Sequence, residues 1–268
     1  METPLSGRRI ALTRTEEDAR SLAEKLRSRG AEVLVHPAIR RVPPRDVEAL
    51  RKAVARLRRG DYDGVLFTSP AAVGALQGEW GKAPLPVEIV GAVGPATRAA
   101  LGPWSWGEVV VAPRHDGASL AEALAMRLGD RLSGMRFLQP RAEEGREELR
   151  RGLEVAGARV DVVAAYRTEA VAAEELRDLV ARLQREDLDA VVFASPSAVA
   201  AVAAACGGTL AGLSTCWVAI GRTTAEALRR AGAARVQTAA AATDEALVEA
   251  VERCLGAPSS PAPGTYTP

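Results

Sequence analysis

The chain carries its fold twice. Arg14, Glu16 and Glu17 recur 127 residues later as Arg141, Glu143 and Glu144, and Leu22, Leu26 and Gly30-Ala31 recur as Leu149, Leu153 and Gly157-Ala158. The block DGVLFTSPAAV at 63–73 returns as DAVVFASPSAV at 189–199, an offset of 126. AVGPATRAAL at 92–101 returns as AIGRTTAEAL at 219–228, and Val109, Leu120 and Glu122 return as Val236, Leu247 and Glu249, all at 127. Four blocks in one order, slipped by a single residue, mark a duplicated unit. The period is too long for a solenoid repeat and has the size of a whole domain. Ligand sites favour the surfaces between domains, so function is expected between the copies.

Each copy alternates short apolar runs with amphipathic stretches. RIALTR reads as a buried strand, and Glu16–Arg29 as a helix with Ala19, Leu22, Ala23 and Leu26 on one face. Gly30 stands where a helix ends. Arg45–Arg58 reads as a second helix and DGVLFTS as the next strand. Ser69-Pro70 pairs an N-cap serine with proline at the first helical position. EIVGAV and EVVVAP are further strands, Gly94-Pro95 opens another helix, and Ser119 is expected to cap the last. Strands alternating with helices imply parallel sheets covered on both faces. Five strands per copy suggest an α/β, flavodoxin-like, doubly wound domain. VHPAIRRVPP (35–44) and VAAYRTEAV (163–171) follow the second strand of each copy and read as extended. They are either loops inside each domain or paired strands where the chain crosses between domains. The tail APSSPAPGTYTP (257–268) is rich in Pro, Ser and Gly, and is expected to be disordered.

The formal charge is +1, which argues against a nucleic-acid partner. No apolar run approaches the ~20 residues a membrane helix needs, and METPLSGRRIALTR lacks a secretory h-region. A cytoplasmic monomer is expected. Cys206, Cys216 and Cys254 form no CxxC and no His/Cys cluster, so no metal site is expected, and all three read as thiols in a reducing compartment. There is no Asn, with four Gln and three Met. That depletion resembles a thermostable protein, and codon bias in an Ala- and Arg-rich genome accounts for it equally well.

At the carboxyl ends of parallel strands the loops gather on one edge, where ligands bind. Here those loops hold Thr13-Arg14-Thr15, Thr68-Ser69-Pro70, Gly94-Pro95-Ala96-Thr97, Pro140-Arg141, Ser195-Pro196-Ser197 and Gly221-Arg222-Thr223-Thr224. Nearly all are small or hydroxylated and each opens a helix, whose free N–H groups suit anions. A serine before proline is also an ordinary cap; Arg14 and Arg141, at matching strand ends, are less easily dismissed, with a surface ion pair as the alternative. No GxGxxG, P-loop or GxSxG motif is present. His36 and His115 read as incidental. Tyr166, one of three tyrosines, stands in an extended segment before Arg167 and Thr168.

Taken together, ALTR (11–14), GAEVLVHPAI (30–39), DGVLFTSPAAV, AVGPATRAAL, GREEL (145–149), GARVDVVAAYRT (157–168), DAVVFASPSAV and AIGRTTAEAL resemble the uroporphyrinogen-III synthase family in order and spacing. The resemblance covers nearly all of 8–256. It implies two domains joined by a two-stranded crossover ladder, with the active cleft between them. Domain 1 would hold 1–36 and 168–257, and domain 2 would hold 38–165. The implied activity is cyclisation of hydroxymethylbilane, a linear tetrapyrrole with eight carboxylates, with loss of water and inversion of the last ring. No cofactor or metal is implied. Tyr166 matches the family's candidate catalytic tyrosine. Ser69, Ser195, Ser197 and Thr224 lie where family members line the cleft, and Arg14, Arg141 and Thr223 join them as candidate substrate ligands. The competing classes are a non-catalytic two-lobed binding protein for a polyanionic metabolite, and a nucleotide-sugar transferase.

Overall fold

The apolar runs become strands because they bury both faces. In the computed structural model, which describes residues 3–104 and 107–256, the order begins β1 (Arg9–Leu12), α1 (Glu16–Ser28), β2 (Glu32–Val35), β3 (Ile39–Val42), α2 (Val47–Arg58), β4 (Gly64–Phe67), α3 (Pro70–Trp80) and β5 (Ile89–Ala92). It continues α4 (Pro95–Leu101), β6 (Glu108–Val111), α5 (Gly117–Leu128), β7 (Arg136–Ala142), α6 (Glu148–Val155) and β8 (Arg159–Ala170). Last come α7 (Arg177–Gln184), β9 (Ala190–Phe193), α8 (Pro196–Ala205), β10 (Cys216–Ala219), α9 (Arg222–Arg230), β11 (Val236–Thr238) and α10 (Asp244–Leu255). The tail expected to be disordered, 257–268, lies outside the described residues.

The chain divides into unit 1, Met1–Arg40 with Glu169–Pro268, and unit 2, Arg41–Thr168. The sheet of unit 1 runs β11-β10-β9-β1-β2, all parallel. The sheet of unit 2 runs β3-β8-β7-β4-β5-β6, parallel from β8 to β6. Each is the doubly wound order in which the second strand lies outside the first and the third lies on its other side. The repeats are exchanged. β1 and β2 come from the first copy of the sequence, yet they complete a sheet whose other strands come from the second copy. β7 and β8 do the reverse in unit 2.

The two extended segments pair rather than loop. β3 lies beside β8; the Val171 N–H donates to Ala38 O at 3.1 Å and Arg167 Nε to Pro43 O at 3.2 Å, so the segments run antiparallel. The chain passes from one unit to the other within these strands, at Arg40/Arg41 and Thr168/Glu169.

Alternation along the buried strands sorts each unit into two cores. In unit 1, Val191, Phe193 and Trp217 face the core beneath α7, α8 and α9, while Val192 and Val218 face that beneath α1 and α10. In unit 2, Val65 and Phe67 face α2, α3 and α4, while Leu66 and Phe137 face α5 and α6. Continuous apolar strands of this kind belong to parallel sheets covered on both sides.

Two sequence expectations fail here. Ser119 does not cap α5. Asp116 does, accepting the Ser119 N–H at 2.7 Å, and Ser119 Oγ accepts the Arg114 N–H at 3.2 Å instead. The helix starts a turn earlier than the serine suggested because an acid stands three residues before it. Nor are all three cysteines thiols. Cys216 and Cys254 form a disulfide with Cα atoms 6.3 Å apart, since α10 lays Cys254 over the face of β10 that carries Cys216. Cys206 remains free, and burial pushes its thiol pKa up.

Candidate functional site

In a doubly wound sheet the loops after the first and third strands leave toward opposite faces and open a crevice between them. In unit 2 those strands are β7 and β4, which are neighbours. A cavity of about 530 Å³ opens at this point, lined by Thr68, Ser69, His115, Gly117, Arg141 and Tyr166 among others.

Tyr166 reaches the cavity through an irregularity in β8. Val163 and Ala165 alternate onto the core that contains Leu50, Phe67 and Val73. Along the β7–β8 ladder Arg141 pairs with Ala164 but Ala142 pairs with Tyr166, so β8 holds one extra residue. A bulge of this kind re-aims the side chains beyond it. Tyr166 therefore packs on the same core as Ala165, its immediate neighbour. Its hydroxyl lies 3.1 Å from Ser69 Oγ. The Arg41 guanidinium stands 6.0 Å from its ring centroid. Ser69 also does what the Ser-Pro pattern implied. It caps α3, accepting the Ala72 N–H at 3.2 Å, with Pro70 at the first helical position.

Arg141 enters from β7 with only 13% of its side chain exposed. It donates to Arg146 O at 2.6 Å and pairs with Glu147, whose carboxyl this hydrogen bond holds below the usual carboxylate range. His115, read as incidental in the sequence, stands in the cavity wall. It adopts a left-handed backbone, φ 57°, just before the Asp116 cap of α5. Its ring lies against Gly94, where a Cβ would come within 3.4 Å of Nδ1. Only its place after a strand's carboxyl end could have flagged it. His36, the other such residue, is lodged against Asp178 at 3.6 Å in unit 1, and burial lowers its pKa.

The remaining candidates belong to unit 1. Arg14 pairs with Asp244 at 2.9 Å. Ser195 caps α8 through the Ala198 N–H at 3.2 Å and lies 3.0 Å from Ser197 Oγ. In the first turn of α9, Thr223 is exposed, whereas Thr224 is 1% exposed and faces the core. Among the described residues, no group of three or more His, Cys, Asp or Glu is placed to hold a metal ion, and no helix is long and apolar enough to cross a membrane.

Two doubly wound units with exchanged halves, one of them with a switch-point crevice lined by Ser69, Tyr166 and the half-buried Arg141, define a two-domain α/β protein. The family described as uroporphyrinogen-III synthase HemD matches residues 20–249. The putative uroporphyrinogen-III synthase of Methanothermobacter thermautotrophicus is 32% identical over 197 residues, 71% of this chain and 74% of that protein. The porphyrin biosynthesis protein HemD of Ruminiclostridium josui is 31% identical over 135 residues, 48% of this chain and 26% of that protein. The uroporphyrinogen-III synthetase structure from Helicobacter pylori has the same fold, with a TM-score of 0.59 at 17% identity, covering 90% of this chain and 97% of that one. The chain belongs to the uroporphyrinogen-III synthase family, enzymes of porphyrin biosynthesis that act on a tetrapyrrole.

Proposed function

We propose that the chain is a lyase that closes hydroxymethylbilane to uroporphyrinogen III, with Tyr166 as the group that helps the hydroxyl leave. The observation that carries this is the Tyr166–Ser69 hydroxyl pair in the cavity of unit 2. A tyrosine hydroxyl is a neutral donor at pH 7. Donation to the substrate's hydroxymethyl oxygen releases water and leaves a cationic azafulvene. The substituted carbon of the last ring then attacks that carbon to give a spiro intermediate. Rearrangement inverts the ring, and the proton shed at the end returns to the tyrosine. The open tetrapyrrole closes readily by itself to the uninverted isomer, so the enzyme's work is positioning plus one acid.

Arg141 in unit 2, and Ser195, Ser197 and Thr223 in unit 1, are the proposed carboxylate ligands. Arg14 is engaged by Asp244, and Thr224 by its core packing. We further propose a cytoplasmic monomer that works without metal or cofactor. Incubation with hydroxymethylbilane and chromatography of the isomers tests the reading. The type III isomer is expected, and type I alone would refute it.

A further inference from the structure

The two units treat the same arginine differently. Arg14 and Arg141 occupy matching positions at the ends of β1 and β7, and each side chain is 13% exposed. In unit 1 the partner of Arg14 is Asp244, the first residue of α10. The matching helix, α5, has the same length and its cap in the same register, Asp116 for Thr243, but its first residue is Gly117. Unit 2 therefore lacks the carboxylate that occupies this place in unit 1.

A second difference enlarges the gap. In unit 1, Thr15 caps α1, accepting the Asp18 N–H at 3.4 Å, and the helix begins at Glu16. The matching residues in unit 2 are Ala142 and Gly145. Alanine has no oxygen to cap a helix. The turn that would match the start of α1 is accordingly not helical, and α6 begins only at Glu148, with no side-chain cap. The cavity lies where that turn is missing, and Gly117, Gly145 and Arg141 all line it.

We infer that this cavity is a pocket for one substrate carboxylate, which sits on Arg141 as the Asp244 carboxylate sits on Arg14. The inference rests on the proposed substrate being a polycarboxylate. Glu147 holds Arg141 until the ligand arrives, so ligand and Glu147 compete for one guanidinium. His115, Asp116, Gly117 and Ala118, at the start of α5, line the same space, and Asp116 is engaged there as the helix cap. No matching histidine exists in unit 1, where Ala242 takes the position of His115.

The test uses the full chain and uroporphyrin III, the oxidised octacarboxylate product, titrated by fluorescence. Gly117→Asp restores the missing carboxylate and is expected to weaken binding by about tenfold, the scale of one charged hydrogen bond. Glu147→Gln frees Arg141 and is expected to tighten binding by about twofold or more, since competition for the guanidinium disappears. A Cβ at Gly117 would stand 3.2 Å from Leu149 Cβ, so the melting midpoint of Gly117→Asp must be read alongside. A folded Gly117→Asp that binds as wild type overturns the pocket. If that variant does not fold, Glu147→Gln decides, and unchanged or weaker binding overturns the pocket equally. Failure of the wild type to form the type III isomer would instead sink the proposed reaction, and the titration would still report on the pocket.

Discussion

The Tyr166 hydroxyl lies 3.1 Å from Ser69 Oγ, and it does so because β8 contains one residue more than its partner strand. Tyr166→Phe keeps the ring on its core and removes only the hydroxyl. The melting midpoint is expected to stay near wild type. Turnover is expected to fall by a factor of about 10² or more, the scale of general-acid help, with the type I isomer rising in the product. Wild-type turnover with an unchanged isomer ratio would leave Tyr166 a packing residue.

Ser69 has two tasks, capping α3 and facing Tyr166. Ser69→Ala removes both. Loss of the cap costs about 1 kcal/mol of stability, read as a lower denaturant midpoint at constant m-value. Activity is expected to fall less than in Tyr166→Phe, because the donating phenol remains. An activity loss larger than that of Tyr166→Phe would transfer the chemistry to the serine.

The exchanged repeats predict where the chain cannot be cut. Residues 1–130 contain β1 and β2 but not β9, the strand that joins them to their sheet. They also lack β7, which borders β4 in the other sheet, and β8, which pairs with β7. This fragment is expected to show no cooperative thermal transition. A sharp transition from a monomeric 1–130 would contradict the strand order.

Tyr62 is buried, and desolvation, with its hydrogen bond to Asp161 at 3.0 Å, pushes its pKa up to about 12. The folded protein therefore keeps a proton that the unfolded chain gives up near pH 10. Stability from this group is fully present below pH ~10 and is lost as pH rises from there toward 12. Chemical denaturation is expected to show a fall on the order of 2 kcal/mol across that window, and a smaller one in Tyr62→Phe. Equal falls in both proteins would assign the alkaline loss to other groups.

Much of the architecture was legible in the repeat. Matching blocks located the strands, and Ser69-Pro70 and Ser195-Pro196 marked two helix starts to the residue. The site was legible only in part. Tyr166 could be singled out by residue type and place, but its bulge could not, since VVAAY is uniformly small until the tyrosine and carries no signal of an extra residue. His115 reads as incidental because a lone histidine in a loop looks the same in sequence whether or not a cavity forms beside it. The disulfide was invisible because its partners are 38 residues apart and meet only through the docking of α10 on β10. Ser119 misled because a buried serine and a capping serine share a sequence context, and Asp116 settles which occurs.

The exchange of halves also sets an order of events at the ribosome. Unit 2 is one continuous stretch, Arg41–Thr168, and has every strand it needs once that stretch has emerged. Residues 1–40 come out first but find their sheet only when β9 to β11 follow. At the usual rate of about 5–20 residues per second, this β-α-β segment waits for roughly 8–30 seconds before β9 is complete, with the apolar faces of β1 and α1 uncovered. A segment made before unit 2 is thus housed after it, and it is the part of the two units for which a chaperone has the longest opportunity.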